Sequence, residues 1–220
     1  MCIRDRLGNE QHVSVWQGIS QMAGAPVFEI PLLPPSVPGI RLTTALRRRL
    51  AVLGVRMEVG MEAIGFGTEK DRIVWVESAT SARPLKHRAN AYLLATGGVL
   101  GGGFSSDPAG HFWETVFDLP LTVAQDRRRW FRPAFFDPRG QPLFAGGVAV
   151  DAQWQPVNDA GVCVFANLWA AGGLLHGADT VAERSLEGVG WVTGTLAGQA
   201  LARQFAPQGE KEQYGAHLVA

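Results

Sequence analysis

Two apolar runs of this sequence end in glycines, where a bare backbone can approach a ligand closely. Residues 93–98 read LLATGG, and residues 168–173 read LWAAGG. A short apolar run that stops at glycines is typical of a buried strand, and the missing side chains leave the backbone open at its end. The pattern indicates a nucleotide as the ligand.

A third glycine-bearing segment covers residues 185–206, which have helical spacing. Its glycines are Gly188, Gly190, Gly194 and Gly198. Each glycine inside a helix costs about 1 kcal/mol relative to alanine, so each needs a reason. For Gly194 and Gly198 we expect a flat face on which a strand or helix packs. For Gly188 and Val189 we expect ligand contact, because the first N–H groups of a helix lack internal partners and its dipole is positive there.

The glycine fingerprint with which dinucleotide-binding folds normally begin is absent from the sequence. That fingerprint requires a strand, a glycine turn and a helix in immediate succession. Residues 188–194, GVGWVTG, approach the spacing, but they follow a charged loop rather than a strand. The chain therefore carries the later glycine signals of a nucleotide-binding fold without the first one.

Helices and strands are predicted to position these glycines. Apolar spacing and a glycine stop predict helices over residues 10–24 and 41–54, the second with Leu42, Leu46, Leu50 and Leu53 on one face. Strands are predicted over residues 25–31, 55–67, 71–79, 89–98 and 161–173, a β pair over 141–157 and a last helix over 185–206. The proline-dense residues 32–42 are predicted to be a rigid connection, because each proline fixes φ.

Composition argues against several classes of function. The 220 residues have a formal net charge of +0, which argues against a nucleic-acid partner. The two cysteines, Cys2 and Cys163, are far apart and the five histidines lack metal-ligand spacing, so we expect neither a disulfide framework nor a metal site. No run approaches the ~18–20 apolar residues that a membrane-spanning helix needs.

Several segments resemble, in sequence and order, the family of B-type subunits of anaerobic glycerol-3-phosphate dehydrogenase, within the fumarate-reductase-like flavoproteins. They read LPPSVPGIRL, LLATGGVLGGGF, FFDPRGQPLFAGGVAVD and NLWAAGGLLHGADTVAE, and the similarity runs from about residue 26 to about residue 204. The resemblance implies an α/β fold: a partial FAD/NAD(P)-binding Rossmann-like domain with a small antiparallel β meander insertion and its N-terminal part missing. Residues 1–6 are then a non-native start, residues 7–206 the C-terminal portion of a flavin-binding oxidoreductase domain, and residues 207–220 a frayed tail.

The same resemblance assigns a flavin site to the three glycine segments. The cofactor-binding residues that it implies are Thr96, Gly97, Gly98, Gly172, Gly173, Gly188 and Val189. FMN is the first choice of cofactor and FAD the alternative. The N–H groups of Gly188 and Val189 are expected to face the pyrimidine edge of the isoalloxazine ring, which gains negative charge on reduction.

The sequence departs from the family just before the last helix. Where the family has a glycine-rich run with a cysteine, residues 183–189 read ERSLEGV. Ser185 suits an N-cap and Glu187 suits a first helical turn, yet they bring bulk and a carboxylate close to the expected flavin. His176 stands where the family usually has a glycine. These differences put the flavin geometry or its redox potential in question.

Oxidation of sn-glycerol 3-phosphate, the substrate that the resemblance implies, needs a cationic contact for the phosphate and a base for the hydroxyl proton. His176 and Arg184 flank the expected flavin edge, and we assign them these roles as base and phosphate contact. His111 is a second candidate base. The alternatives are packed or surface roles for the histidines and pairing of Arg184 with Glu183 or Glu187.

The function implied is that of a flavoprotein component of a respiratory complex in anaerobic respiration and glycerol metabolism. It would oxidise sn-glycerol 3-phosphate to dihydroxyacetone phosphate and pass electrons through partner subunits to quinone. The partners are a catalytic A-type subunit, together with a membrane-anchoring iron–sulfur C-type subunit. The expected location is cytoplasmic or peripheral on the inner face of the cell membrane. The alternatives are a flavin oxidoreductase acting on another small acid and a non-catalytic assembly subunit.

Overall fold

The computed structural model describes residues 7–8, 10–29 and 36–205. The predicted non-native start and frayed tail, residues 1–6 and 207–220, lie outside this range. The chain divides into two compact units, residues 1–60 and residues 61–220. Among the described residues, no helix combines the length and the apolar character that crossing a bilayer requires.

The first unit contains two helices, and both were predicted. Helix α1 (His12–Ala23) ends at Gly24, which has a left-handed φ of 57°. Helix α2 (Val37–Val52) begins at Ser36, whose Oγ accepts the Gly39 N–H at 3.3 Å. Its first residues lie in the segment that was predicted to be a rigid connection. The helix tolerates a proline there, because the N–H groups of the first turn have no partner within the helix. The strand predicted over residues 25–31 is not formed at residues 25–29, and residues 30–31 lie outside the described range.

The leucine face of α2 is not covered within the described part of the chain. Leu42 and Leu46 are 48% and 39% exposed. The amphipathic pattern thus predicted the helix correctly, but no described residue buries its apolar side.

The second unit opens with the antiparallel meander that was predicted. Strands β1 (Ala63–Glu69), β2 (Arg72–Ser78) and β3 (Leu85–His87) pair in that order. The strand predicted over residues 55–67 begins only at Ala63, and β3 has no counterpart among the predicted strands.

A parallel strand pair and a helix form the part of the fold that positions the glycines. Strand β4 (Tyr92–Leu94) pairs in parallel with the later strand β7 (Leu168–Ala170). Between them lie the hairpin β5 (Phe104–Ser106) and β6 (Phe112–Glu114) and the short helix α3 (Pro142–Ala145). After β7 comes the long helix α4 (Leu186–Phe205), as predicted. The β pair predicted over residues 141–157 is formed in part: the segment starts with α3, and Val150 then bridges Pro156 in antiparallel orientation.

One apolar core joins the meander, the parallel pair and the hairpin. Its buried side chains include Ile73, Leu94, Phe104, Phe112, Trp130, Val148, Leu168 and Leu174. The buried side chain of Asn167 links the meander to β7. Its Oδ1 accepts the Ile73 N–H and its Nδ2 donates to the Ile73 carbonyl, both at 2.9 Å. The amide group thus pairs with β2 as a further strand would.

Candidate functional site

The glycine turns after β4 and β7 lie against each other. Parallel strands end at the same edge of a sheet, and here the Ala171 N–H donates to the Leu94 carbonyl at 3.0 Å just beyond the paired residues. A Cβ on Gly98 would overlap the carbonyl oxygen of Gly173. Gly97, Gly98 and Gly173 line one cavity of about 150 Å³. Two of the three glycine segments therefore meet at one place.

Thr96, the residue before this turn, has a side-chain hydroxyl without a partner. Its Oγ1 is buried and forms no hydrogen bond with any described residue. A buried hydroxyl left in this state costs about 1–3 kcal/mol, and most such groups in folded proteins are satisfied. The hydroxyl lies against Gly103, and Thr96 does not line the cavity beside the glycine turns.

A second, larger cavity lies at the start of α4. It measures about 630 Å³, within the usual range for small-molecule sites. Gly188, Val189 and His176 line it, together with the largely apolar wall of Val150, Trp154, Leu175, Val192 and Thr193. Ala178 lines both cavities, so the third glycine segment adjoins the first two. A flat aromatic ligand suits such a wall, whose polar side chains include His176, Glu183 and Ser185.

The start of α4 is more occupied than a bare glycine turn. Ser185 Oγ lies where a Cβ on Gly188 would stand, and Glu183 lines the same cavity.

Gly172, which was expected to contact a cofactor, lines neither cavity, and its N–H donates to Thr193 Oγ1 at 2.8 Å. The Thr193 hydroxyl in turn donates to the Val189 carbonyl at 2.6 Å. Thr193 therefore fixes α4 to the end of β7.

His176 is held in one orientation at the rim of the larger cavity. Its Nδ1 lies 2.8 Å from Thr122 Oγ1. The Thr122 hydroxyl also contacts Gly147, donating to its carbonyl at 3.1 Å and accepting its N–H at 3.0 Å. If its proton is on the Gly147 carbonyl, the oxygen can accept Nδ1–H as well. The His176 tautomer with a proton on Nδ1 then has its lone pair on Nε2, where a base needs it.

The other two candidates for chemistry lie apart from the cavities. Arg184 is exposed and has a φ of 53°, unusual for a residue with a side chain. It lines neither glycine cavity, and no ion pair in the described part of the chain joins it to Glu183 or Glu187. His111 is exposed and stacks on Trp113 with 5.0 Å between ring centroids. It too is outside both cavities.

The close packing expected at Gly194 and Gly198 is not found among the described residues. A Cβ at either position would meet no neighbour within 4 Å beyond the helix's own backbone. Gly190 is open in the same way. Among the described residues, no contact therefore offsets the free-energy cost of placing glycine inside the helix at these positions.

Sequence reasoning missed the threonines that organise the site. Thr122 and Thr193 lie 54 and 21 residues from the groups that they hold, His176 and Gly172. No local motif marks either residue, since a hydroxyl that bonds across such a distance leaves no spacing pattern. Trp154, whose φ is 66°, also lines the larger cavity.

Comparison with known proteins agrees with this geometry. Residues 5–188 match the family described as FAD binding domain. The chain belongs to that family. A protein of Halobacterium salinarum, named as the probable B-type subunit of an anaerobic glycerol-3-phosphate dehydrogenase, is 36% identical over 196 residues, 89% of this chain and 45% of the relative. Proteins from Vibrio vulnificus and Vibrio cholerae, named as the same subunit of this enzyme, are 29% and 26% identical, over 88% and 94% of this chain and 43% and 46% of theirs.

These matches confirm the resemblance and the fold class. The meander and the parallel β4–β7 pair followed by α4 are the α/β arrangement that was expected of the FAD binding domain family. The chain spans about half the length of the curated relatives that it matches. The family supports a flavin, FAD in particular, and the choice of FMN before FAD is not supported.

The residues present fit a flavin. The bare backbone of Gly97, Gly98 and Gly173 along the smaller cavity suits the polar chain of the cofactor. The apolar cavity beside Gly188 suits its ring.

Proposed function

We propose that this chain is the flavin-binding part of an oxidoreductase subunit that carries FAD. The observation that carries the proposal is the contact between Gly98 and Gly173, along the smaller cavity and next to the apolar cavity at the start of α4. A cofactor with a polar chain and a flat ring needs both kinds of surface side by side. Within this proposal Gly188 and Val189 offer N–H groups to the ring, and Gly172 acts through Thr193 rather than by contact.

We propose further that the substrate is sn-glycerol 3-phosphate, the compound in the names of the relatives. A flavin held by these residues would supply the acceptor for the hydride from C2 of the alcohol. His176 receives the hydroxyl proton on Nε2, and dihydroxyacetone phosphate remains. Thr122 keeps the proton of the free imidazole on Nδ1, so that Nε2 can act as the base. Arg184, which lies outside the cavity, has less support for its proposed phosphate contact.

Electrons would then pass through partner subunits to quinone. The relatives are named as one subunit of their enzyme, which supports an assembly of several chains. The partners in this proposal are a catalytic A-type subunit, together with a membrane-anchoring iron–sulfur C-type subunit. Attachment to the membrane is through these partners.

A second candidate function is that of a non-catalytic assembly subunit. Glu183 brings a carboxylate to the wall of the larger cavity, and Ser185 takes the space beside Gly188. A negative charge there opposes the charge that a flavin gains on reduction. This observation favours a chain that keeps the fold but no longer turns over substrate.

Anaerobic absorption spectroscopy distinguishes these functions. The native protein is isolated from cells with any partner subunits, and sn-glycerol 3-phosphate is added without oxygen. Bleaching of the flavin band supports the dehydrogenase. A colourless protein that still co-purifies with a second flavoprotein supports the assembly role. Bleaching by other small acids, but not by sn-glycerol 3-phosphate, contradicts the proposed substrate.

A further inference from the structure

A third cavity is lined by Thr122 and by two arginines. It measures about 520 Å³. Arg129, Arg132, Thr122, Trp130 and Phe131 are among its lining residues, and none of the lining residues is acidic. A cavity with two guanidinium groups and no carboxylate in its wall has the electrostatics of an anion site.

The nearby carboxylates form their ion pairs with other arginines, and Asp126 and Asp137 act on Arg129 and Arg132 only through attraction at longer range. Asp126 pairs with Arg128 through both carboxylate oxygens at 3.1 Å. Asp137 pairs in the same way with Arg139, at 2.9 and 2.8 Å. Among the described residues, no ion pair involves Arg129 or Arg132. Their charges are available to a ligand.

The loop that carries Arg132 is held in place by a buried glutamine. Gln141 is 8% exposed, and its Oε1 accepts the backbone N–H of Arg132 at 2.6 Å. Its Nε2 donates to the carbonyls of Ala134 and Phe135, both at 2.9 Å. The Arg132 Nε also donates to the Gly140 carbonyl at 3.1 Å. The guanidinium is therefore oriented before any ligand arrives, which lowers the entropy cost of binding.

The floor of the cavity is equally fixed. Trp130 is buried, and its Nε1 donates to the Ala124 carbonyl at 2.7 Å. The Trp130 carbonyl accepts the Leu143 N–H at 3.0 Å. Thr122 lines this cavity and also bonds to His176, so one residue connects the arginine-lined cavity to the proposed base.

We propose that this cavity binds a phosphate dianion through Arg129 and Arg132. The inference rests on the proposed function in one respect: the phosphate is that of the phosphomonoester substrate whose hydroxyl group reaches His176. It replaces Arg184 in this role, because Arg129 and Arg132 share the wall of one cavity with Thr122, whereas Arg184 lines none of the three cavities. The same chemistry would suit a phosphate of the cofactor or free inorganic phosphate, and the test separates these sources.

Arg129→Gln tests the site directly, since Arg129 is exposed and its loss should leave the fold intact. The matched control is Arg83→Gln, the same change at an exposed arginine on the turn between β2 and β3. Inorganic phosphate is titrated calorimetrically into the native protein and both variants. Loss of a charge-assisted contact predicts a dissociation constant about tenfold higher for Arg129→Gln and an unchanged one for Arg83→Gln. Arg132→Gln should behave like Arg129→Gln, with thermal melting as the check on its folding.

The source of the phosphate follows from two further measurements on the same variants. A higher KM for sn-glycerol 3-phosphate at unchanged flavin content assigns the site to the substrate. Loss of flavin content assigns it to the cofactor and overturns the substrate assignment. If the variants lose phosphate affinity while the native flavin is not bleached by sn-glycerol 3-phosphate, the anion site stands and the proposed function fails. If Arg129→Gln binds phosphate as tightly as Arg83→Gln does, the anion site itself is contradicted.

Discussion

The backbone of Gly98 lies directly against the carbonyl oxygen of Gly173, so that no side chain fits between the turns that follow β4 and β7. Gly98→Ala should therefore force these turns apart. We expect a loss of about 1–3 kcal/mol in the free energy of unfolding, as for other overpacking substitutions, together with weaker flavin retention. Chemical denaturation and the flavin absorbance of the purified variant measure the two effects.

Gly194→Ala is the matched control for that substitution. A Cβ at Gly194 meets open space, and alanine is favoured over glycine inside a helix by about 1 kcal/mol. We expect the free energy of unfolding to rise by up to about that amount, with flavin content unchanged. A destabilised Gly194→Ala variant would mean that another segment or partner packs on this face of α4.

The Asn167 side chain should contribute strongly to stability, because it satisfies both the N–H and the carbonyl of Ile73 inside the core. Asn167→Ala leaves both groups buried without partners, at a cost of about 1–3 kcal/mol for each. Asn90→Ala is the control, since Asn90 is exposed and the contacts that it makes are through its backbone carbonyl. Urea unfolding should separate the two variants clearly. Equal stability of the two would contradict the bridging role of Asn167.

Glu114 should make stability depend on pH in an unusual direction. Burial raises the pKa of this carboxyl group above its usual 4.5, although the N–H groups of Phe117 and Val116 bond to it and oppose the shift. The folded state therefore binds the proton more readily than the unfolded state does. The free energy of unfolding should fall as the pH rises from 4.5 through the raised pKa.

Glu114→Gln measures that contribution. An amide has one acceptor oxygen where the carboxylate has two, so one of the two N–H groups loses its partner. Relative to this variant, the native protein should gain stability as the pH is lowered from neutral towards 4.5. If the difference in free energy of unfolding between the native protein and Glu114→Gln stays constant from neutral pH to 4.5, burial does not raise the pKa of Glu114.

Thr122 should act as a positioning residue for His176. Thr122→Val removes the oxygen next to His176 Nδ1 and keeps the shape of the side chain. If His176 is the base, the acid limb of the kcat/KM profile with sn-glycerol 3-phosphate should move, and Thr122→Ser should restore it. A purely structural role for Thr122 would lower the melting temperature and leave the pH profile in place.

The sequence predicted the elements with strong local signals and missed those that depend on distant contacts. α4 and the ATGG and AAGG turns were found because apolar spacing and glycines mark them locally. The β pair predicted over residues 141–157 is formed only in part, because Val150 bridges Pro156 singly and Val148 bridges the distant Leu121 and Leu175. Gly172 was expected to face the ligand, but Thr193, on the next helix, takes its N–H.

The proposed site could be predicted from the sequence only in part, for the same reason. His176 was proposed as the base from its place after the AAGG turn, yet its partner Thr122 carries no motif. Arg184 was chosen for closeness in sequence, whereas Arg129 and Arg132 line a cavity that a long-range contact of Thr122 connects to His176. Charged residues that only tertiary packing brings together cannot be recognised from their spacing in the sequence.

Identification of the cofactor in the native protein tests the central claim most directly. The protein is isolated from cells and denatured, and the released chromophore is identified by its absorption spectrum and chromatographic mobility. We expect one flavin per chain, in the form of FAD. A purified, folded protein that releases no flavin would contradict it.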